Sequence, residues 1–270
     1  LIDLARPGRV LIVAGSDSGG GAGIQADIKT VMALGGFATT AVTALTAQDT
    51  RGVHGVFAAP PDFVRLQMRC VLDDIGADAF KTGMLADTGV IEAVAEVFAG
   101  FADIPFVLDP VMVAKGGHAL IAEGAVATLR ALLMPLATLI TPNVPEAEIL
   151  AGMEITGQAD QRRAVDRLMA MGVRAVLLKG GHLHGRVLTD VLATGDGVEV
   201  FTGLRIDTRS THGTGCTMAS AIATGLAQGW ALGPAVRRAH AYVRSAILHA
   251  PGLGTGHGPL DHGAGWRMEG

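Results

Sequence analysis

The chain has 270 residues, 49% hydrophobic and 17% charged, with a mean hydropathy of +0.41; that excludes intrinsic disorder, which needs low hydrophobicity and high charge. A net charge of −4 and a pI near 6.1 exclude a global positive field for nucleic acid or an anionic membrane, so a phosphorylated ligand must be held by local devices. Two cysteines, Cys70 and Cys216, are too few for a disulfide framework, and no apolar run escapes Gly, Pro or charge for long enough to span a membrane; Leu1–Arg6 does not read as a signal peptide, and a reducing cytoplasm is the expected setting.

In chain order, Arg9–Gly15 reads as a buried strand, followed by a glycine turn and a helix over 23–35. Ile24, Ile28, Val31 and Met32 of that helix fall on one face. Strands are expected at 38–47 and 53–58, and a helix at 61–75 opened by Pro61. Then come strand 77–82, helix 88–101, strand 106–111, helix 124–136, a short strand 139–141 and a helical turn or two at 146–151. A helix at 161–171 precedes a buried strand at 176–181, a hairpin of 186–193 with 198–206, and two helices at 215–228 and 234–249. Alternation of this kind implies a mostly parallel sheet covered on both faces. With no linker, repeat or charge block, a single domain over 1–270 is expected, with ligands beyond the carboxyl ends of the strands.

Five motifs fall at those ends. Gly15-Ser16-Asp17-Ser18-Gly19-Gly20-Gly21-Ala22-Gly23 opens a helix; it matches neither the dinucleotide fingerprint nor a Walker A loop. It is either a flexible turn or a loop letting backbone amides approach a ligand. Asp27, one helical turn in, is either a solvated acid or part of that site. Ser210-Thr211-His212-Gly213-Thr214-Gly215-Cys216-Thr217 places small residues at another helix start. There the amides and helix dipole make an anion hole, and Cys216 in the first turn is expected to have a lowered thiol pKa; a buried capping cysteine is the alternative. Asp109-Pro110-Val111-Met112 ends a hydrophobic strand. Asn143 and Glu146, three apart in Thr141-Pro142-Asn143-Val144-Pro145-Glu146, suit a hydrated Mg²⁺ or, equally, helix capping. Lys179-Gly180-Gly181-His182 ends a buried strand, where a lysine is costly unless it meets an anion or snorkels outward. His54, His118, His240, His249, His257 and His262 show no metal-ligand spacing and are expected at the surface or in caps.

Taken together, AGSDSGGGAGIQADIKT, TALTAQ, KTGML, DPVMVAKGG, TPNVPEAE, KGGH and STHGTGCT resemble the hydroxymethylpyrimidine/phosphomethylpyrimidine kinases of thiamine biosynthesis, a branch of the ribokinase-like superfamily. The resemblance runs from about residue 9 to 262. It implies an α/β fold: a ribokinase-like three-layer α/β/α sandwich with a central mostly parallel sheet, commonly dimeric, so a homodimer is expected. It implies ATP and Mg²⁺, and successive phosphorylation of 4-amino-5-hydroxymethyl-2-methylpyrimidine and its monophosphate. Gln48 matches the glutamine that reads the aminopyrimidine edge, for which an amide offers acceptor and donor side by side. Gly15, Ala22, Asp27, Thr46, Met84 and Val111 match the other substrate positions, with Met84 and Val111 sandwiching the ring. Gly213, Thr214, Gly215 and Cys216 match the anion hole and the acceptor-activating position. Lys179 matches the lysine that neutralises the transferring phosphate; Lys179, Asn143 and Thr211 are expected toward the nucleotide, and Asp109 and Glu146 toward the metal. Gly19 and Gly116 stand where the family pattern has serine. Two rivals are a pyridoxal kinase, which Gln48 argues against, and a non-catalytic vitamin-binding protein, which would not require Lys179, Asn143, Glu146 and Cys216 together.

Overall fold

The computed structural model describes residues 7–112 and 124–264. The strands are β1 (Arg9–Asp17), β2 (Phe37–Asp49), β3 (Gly52–Ala58), β4 (Ala79–Thr82), β5 (Phe106–Leu108), β6 (Leu139–Ile140), β7 (Ala175–Leu178), β8 (Val187–Thr194) and β9 (Gly197–Leu204). The helices are α1 (Gly23–Ala33), α2 (Pro61–Asp74), α3 (Thr88–Ala99), α4 (Ala125–Thr128), α5 (Val144–Ala151), α6 (Gln158–Ala170), α7 (Thr214–Ala227) and α8 (Leu232–Leu248). Among the described residues the strands form one sheet in the order β3-β2-β1-β4-β5-β6-β7-β8-β9. It is parallel from β2 to β7, and β3, β8 and β9 pair antiparallel at the two ends. This is the three-layer α/β arrangement that the alternation of apolar runs implies.

The alternation of side chains along β1 builds both cores. Leu11 and Val13 enter one cluster with residues of α2, α3, α5 and α6, whereas Val10, Ile12 and Ala14 enter the other with residues of α1, α7 and α8. A strand buried on both faces has to read as a continuous apolar run, as RVLIVAG does. On the first face Phe80 stacks on Phe98 at 4.1 Å and meets Phe101 edge-on. Chain direction across the sheet reverses at β1: β2 lies on one side and β4 on the other. In α/β sheets the crevice at such a reversal is where ligands bind.

Two elements differ from the sequence pattern for local reasons, and a third, open in the sequence, is decided by its hydrogen bonds. The strand expected to reach Val111 stops at Leu108: Asp109 N still donates to Thr82 O at 3.1 Å, but Pro110 has no N–H to continue the ladder. The helix expected over 124–136 begins as α4 and widens into a π-helical turn at Leu129–Leu133, closed by Met134 N on Leu129 O at 3.1 Å, with Leu129 and Leu133 both buried. The C-terminal segment, open between a tail and a strap, is a strap over the described part. His257 N donates to Thr50 O at 2.7 Å, His212 N to Gly258 O at 3.1 Å, and Asp261 N to Ala246 O at 3.0 Å, and Leu260 and His262 are buried.

Candidate active site

A continuous cleft of about 1460 Å³ lies over the carboxyl ends of the parallel strands. Gly15, Ala22, Thr46, Gln48, Met84 and Val111 line one end. Lys81, Asp109, Lys179 and Gly213–Cys216 line the middle. Asn143, Glu146, Thr211, Asp190, Phe201 and His240 line the rest. Every residue carried from the sequence as a site candidate borders this one space, except Asp27.

The first glycine loop folds around its own acid. Asp17 is 2% exposed. Its carboxylate accepts Gly19 N at 2.8 Å, Gly21 N at 3.0 Å and Ala22 N at 2.8 Å, while Gly20 N donates to Asp17 O at 2.9 Å. His212 Nε2 adds a further contact at 2.9 Å to Asp17 Oδ2. Burial works to raise the Asp17 carboxyl, but the His212 contact and the amides outweigh it and hold it below the ordinary carboxylate range. The loop is thus neither of the two alternatives its sequence offered, a flexible turn or amides held out to a ligand: its amides are spent on Asp17. The second loop docks directly on the first: Gly213 has φ +83, and a Cβ there would stand 1.9 Å from Gly21 O.

Asp27 departs from the expectation that it holds substrate directly. It is fully buried beneath the cleft, bound by Lys81 Nζ at 2.8 Å and by Ser220 Oγ at 2.6 Å. Lys81, which no sequence argument singled out, is also fully buried. Burial would lower its pKa, but the Asp27 and Asp109 carboxylates hold it above the ordinary value as a cation. A lysine in KTGML, midway along a strand of small and apolar residues, was the available signal, because a buried lysine requires a partner. Asp27 therefore reaches the cleft through Lys81, which does line it.

Cys216 lies in the first turn of α7, close to the Gly23 amide at the start of α1. The expected fall in its pKa is reversed. Burial, with Asp27 and Asp109 nearby, pushes the thiol up to about 12 against the pull of Lys81 and the Gly23 amide. Desolvation of a thiolate outweighs the helix terminus here. The remaining first-turn amides have no partner within an α-helix. Lys179 approaches them: a Cβ on Gly215 would stand 3.2 Å from Lys179 Nζ and 3.8 Å from Asp109 Oδ2.

Lys179 does not snorkel. Its Nζ lies 3.0 Å from Asp109 Oδ1, with the two side chains 14% and 2% exposed. Burial would lower its pKa, but Asp109 and Glu146 raise it above the ordinary value. Thr141 Oγ1 donates to the same Asp109 oxygen at 2.9 Å. Asn143 and Glu146 form a reciprocal capping box at the start of α5, with Asn143 N on Glu146 Oε2 at 2.8 Å and Glu146 N on Asn143 Oδ1 at 3.0 Å. Capping and site roles coincide, because the box anchors Glu146 within the field of Lys179 and Asp109. Burial raises the Glu146 carboxyl to about 7, reinforced by Asp109 and opposed by Lys179.

Among the described residues no group of three His, Cys, Asp or Glu is placed to hold a metal. The Asp109 and Glu146 carboxylates offer a smaller, all-oxygen donor set. That suits Mg²⁺, which keeps most of its waters and leans on substrate phosphates. Of the histidines expected at the surface, His54, His249 and His257 are exposed, and His118, like Gly116, lies outside the described residues. His262 is buried instead, with Nε2 3.0 Å from Thr217 Oγ1. His240 stacks on Phe201 at 4.6 Å and lies 3.6 Å from Asp190.

Comparison with known proteins gives a consistent picture. A family model described as phosphomethylpyrimidine kinase matches residues 17–261. A hydroxymethylpyrimidine/phosphomethylpyrimidine kinase of Streptomyces coelicolor is 50% identical over 257 residues, covering 95% of each chain. The thiamine biosynthesis bifunctional protein ThiED of Geobacter sulfurreducens is 52% identical over 255 residues; the match covers 94% of this chain but 52%, about half, of that longer relative. Among solved structures, a Bacillus subtilis pyridoxal kinase in complex with ADP superposes with a TM-score of 0.88 at 37% identity, covering 96% of this chain and 98% of the other.

Proposed function

Because this chain belongs to the phosphomethylpyrimidine kinase family, and is therefore an ATP-using kinase with a ribokinase-like fold, we propose that it phosphorylates 4-amino-5-hydroxymethyl-2-methylpyrimidine and then its monophosphate, yielding the pyrophosphate used in thiamine biosynthesis. The observation that carries this reading is one cleft with an amide, Gln48, at one end, and Lys179, Asp109 and the α7 amides converging beside Cys216 in the middle. The first part recognises a heteroaromatic edge and the second stabilises a transferring phosphoryl group.

The acceptor ring lies between Met84 and Val111, with its edge on Gln48 and its hydroxymethyl oxygen toward Cys216. The amides of Thr214, Gly215 and Cys216 face the oxygens of the group in flight. Lys179 neutralises charge that grows there, and Lys81 adds a fixed positive charge from below. Preorganised donors of this kind supply most of the barrier reduction in phosphoryl transfer. Since the Cys216 thiol is protonated at neutral pH, it polarises the acceptor hydroxyl, and the acceptor proton passes to an oxygen of the transferring phosphoryl group as the new O–P bond forms and the bond to the departing ADP oxygen breaks. Asp109 and Glu146 would hold Mg²⁺, which would supply neutralisation of the charge on the nucleotide phosphates. Asn143 and Thr211 face the nucleotide. For the second step the monophosphate oxygen takes the place of the alcohol.

Among the described residues no helix is long and apolar enough to cross a membrane; the reading of a cytoplasmic enzyme rests instead on the two cysteines, too few for a disulfide framework. A homodimer accords with the apolar side chains on the β3 edge of the sheet and its neighbour β2, where Phe57 is 71%, Leu45 54% and Val56 43% exposed. The pyridoxal kinase among the structural neighbours favours one rival acceptor. A coupled ATP-consumption assay with Mg²⁺ tests both readings by comparing the pyrimidine, its monophosphate and pyridoxal. Both pyrimidines are expected to exceed pyridoxal in kcat/KM. Turnover of pyridoxal alone would keep the chemistry and overturn the acceptor.

A further inference from the structure

His212 is not among the residues that the proposed mechanism uses, yet it touches the group that recognises the acceptor. Its Nε2 lies 2.9 Å from Asp17 Oδ2 and 3.2 Å from Gln48 Nε2. Gln48 Oε1 lies 3.2 Å from Thr46 Oγ1, and that hydroxyl is also 2.9 Å from Ser16 O. Counting protons shows that these four contacts are not compatible. The Asp17 carboxylate, with three backbone N–H groups already directed at it, is an acceptor only. His212 Nε2 must therefore carry a proton and donate it to Asp17, which leaves that nitrogen no lone pair for an N–H of Gln48. The Ser16 carbonyl likewise only accepts. It takes the single hydroxyl proton of Thr46, which then has none for the Gln48 oxygen.

A half-turn of the Gln48 amide removes both conflicts. Its oxygen then accepts from His212 Nε2–H, shared with Asp17, and its NH₂ donates to Thr46 Oγ1. We propose that His212 is a positioning residue for acceptor recognition: its Nε2–H fixes the Gln48 amide with oxygen toward His212 and nitrogen toward Thr46, and so sets the order in which acceptor and donor face the ligand edge. The ligand class selected is a heteroaromatic ring with an amino group next to a ring nitrogen, presented in one sense. The imidazole is well placed to act as a fixed reference. Its side chain is 11% exposed, it packs over Gly21, where a Cβ would stand 2.6 Å from its Cδ2, and its backbone N is tied to the C-terminal strap at Gly258 O.

The proposal rests on the acceptor reading above, and two measurements separate their failures. Long-range ¹H–¹⁵N spectra of the wild-type enzyme without substrate, with His212 assigned by difference against His212→Gln, report which ring nitrogen carries the proton. Nε2–H is expected, and a ring protonated on Nδ1 alone overturns the proposal. In kinetics, Gln48→Ala and His212→Ala are each expected to raise KM for the pyrimidine about tenfold or more while leaving KM for ATP within about twofold, because a site built to pair polar edges loses discrimination when one is left unpaired. The double variant is expected to be no worse than Gln48→Ala alone, the sign of two residues acting as one unit. His212→Gln, which keeps N–H donors at the corresponding atom, is expected to recover most of the loss. Multiplying effects, or an equal rise in KM for ATP, overturn the proposal. A wild-type enzyme that does not turn over the pyrimidine overturns the acceptor reading, while the ring-nitrogen measurement still stands or falls by itself.

Discussion

The two glycine-rich loops begin helices of the same layer, α1 and α7, and meet at Gly21 and Gly213, yet they do opposite things with their amides. In the first, four successive N–H groups from Gly19 to Ala22 turn inward onto Asp17. In the second, the first-turn amides of α7 lie beside Lys179 and Asp109, with no carboxylate of their own loop to absorb them. The difference is one residue. An acid early in a glycine run supplies an internal anion, so the loop becomes a rigid wall. A run without one keeps its donors for an external anion. On the proposed function, the first loop shapes the acceptor end and the second takes the charge of the reaction.

The sharpest way to break this contrast is to remove the cation from the second loop. Lys179→Met is expected to lower kcat by about 10²–10³-fold, the scale of losing one preorganised charge-stabilising group. Binding of the pyrimidine, measured by calorimetry, is expected to change little, because Gln48 and Asp17 are untouched. A Lys179→Met enzyme with near-normal kcat would remove the anion hole from the second loop and leave the two loops equivalent.

The docking of one loop on the other gives a smaller, structural test. Gly213→Ala puts a methyl group against the Gly21 carbonyl, 1.9 Å away in the present backbone, at a φ that disfavours alanine. Gly20→Ala has a similarly positive φ of +74, but its nearest neighbour is the flexible end of Lys29 at 3.5 Å. Left-handed strain alone is worth about 1–2 kcal/mol, so Gly20→Ala should show roughly that loss in urea unfolding. Gly213→Ala should lose clearly more, together with activity. Equal losses would mean that the loops separate without cost.

The sequence pattern revealed the architecture because this sheet is buried on both faces: apolar strands, amphipathic helices and glycine turns alternate with little ambiguity. It also placed nearly all of its site candidates on the cleft, since polar side chains at strand ends have few other reasons to be there. It could not show which polar groups satisfy one another. Asp17 looked like one more loop residue until its four amides were seen. Lys81 was hidden within a strand, and Asp27 read as a binder of substrate when its partners are Lys81 and Ser220, the latter 193 positions away in the chain. Element ends shifted where a single group decides, as at Pro110. Cys216 was misjudged for the same reason: the sequence shows the helix terminus that lowers a thiol pKa but not the burial that raises it.

That last reversal supports the smallest and most specific prediction. Cys70 is exposed, whereas the Cys216 thiol has a pKa pushed up to about 12 from an ordinary 9.0. Iodoacetamide near pH 8, followed by mass spectrometry of the intact and digested chain, should label Cys70 and spare Cys216, because only the thiolate reacts. The sign for stability follows from proton binding. Between about pH 9 and 12 the folded chain keeps a proton that the unfolded chain releases, so this residue makes stability fall as pH rises through that window and contributes no such slope below it. Cys216→Ala should flatten that part of the stability profile while leaving the neutral region unchanged in slope. Rapid labelling of Cys216 at pH 8 would mean that Lys81 and the Gly23 amide prevail over burial, restoring the thiolate as the group that takes the acceptor proton.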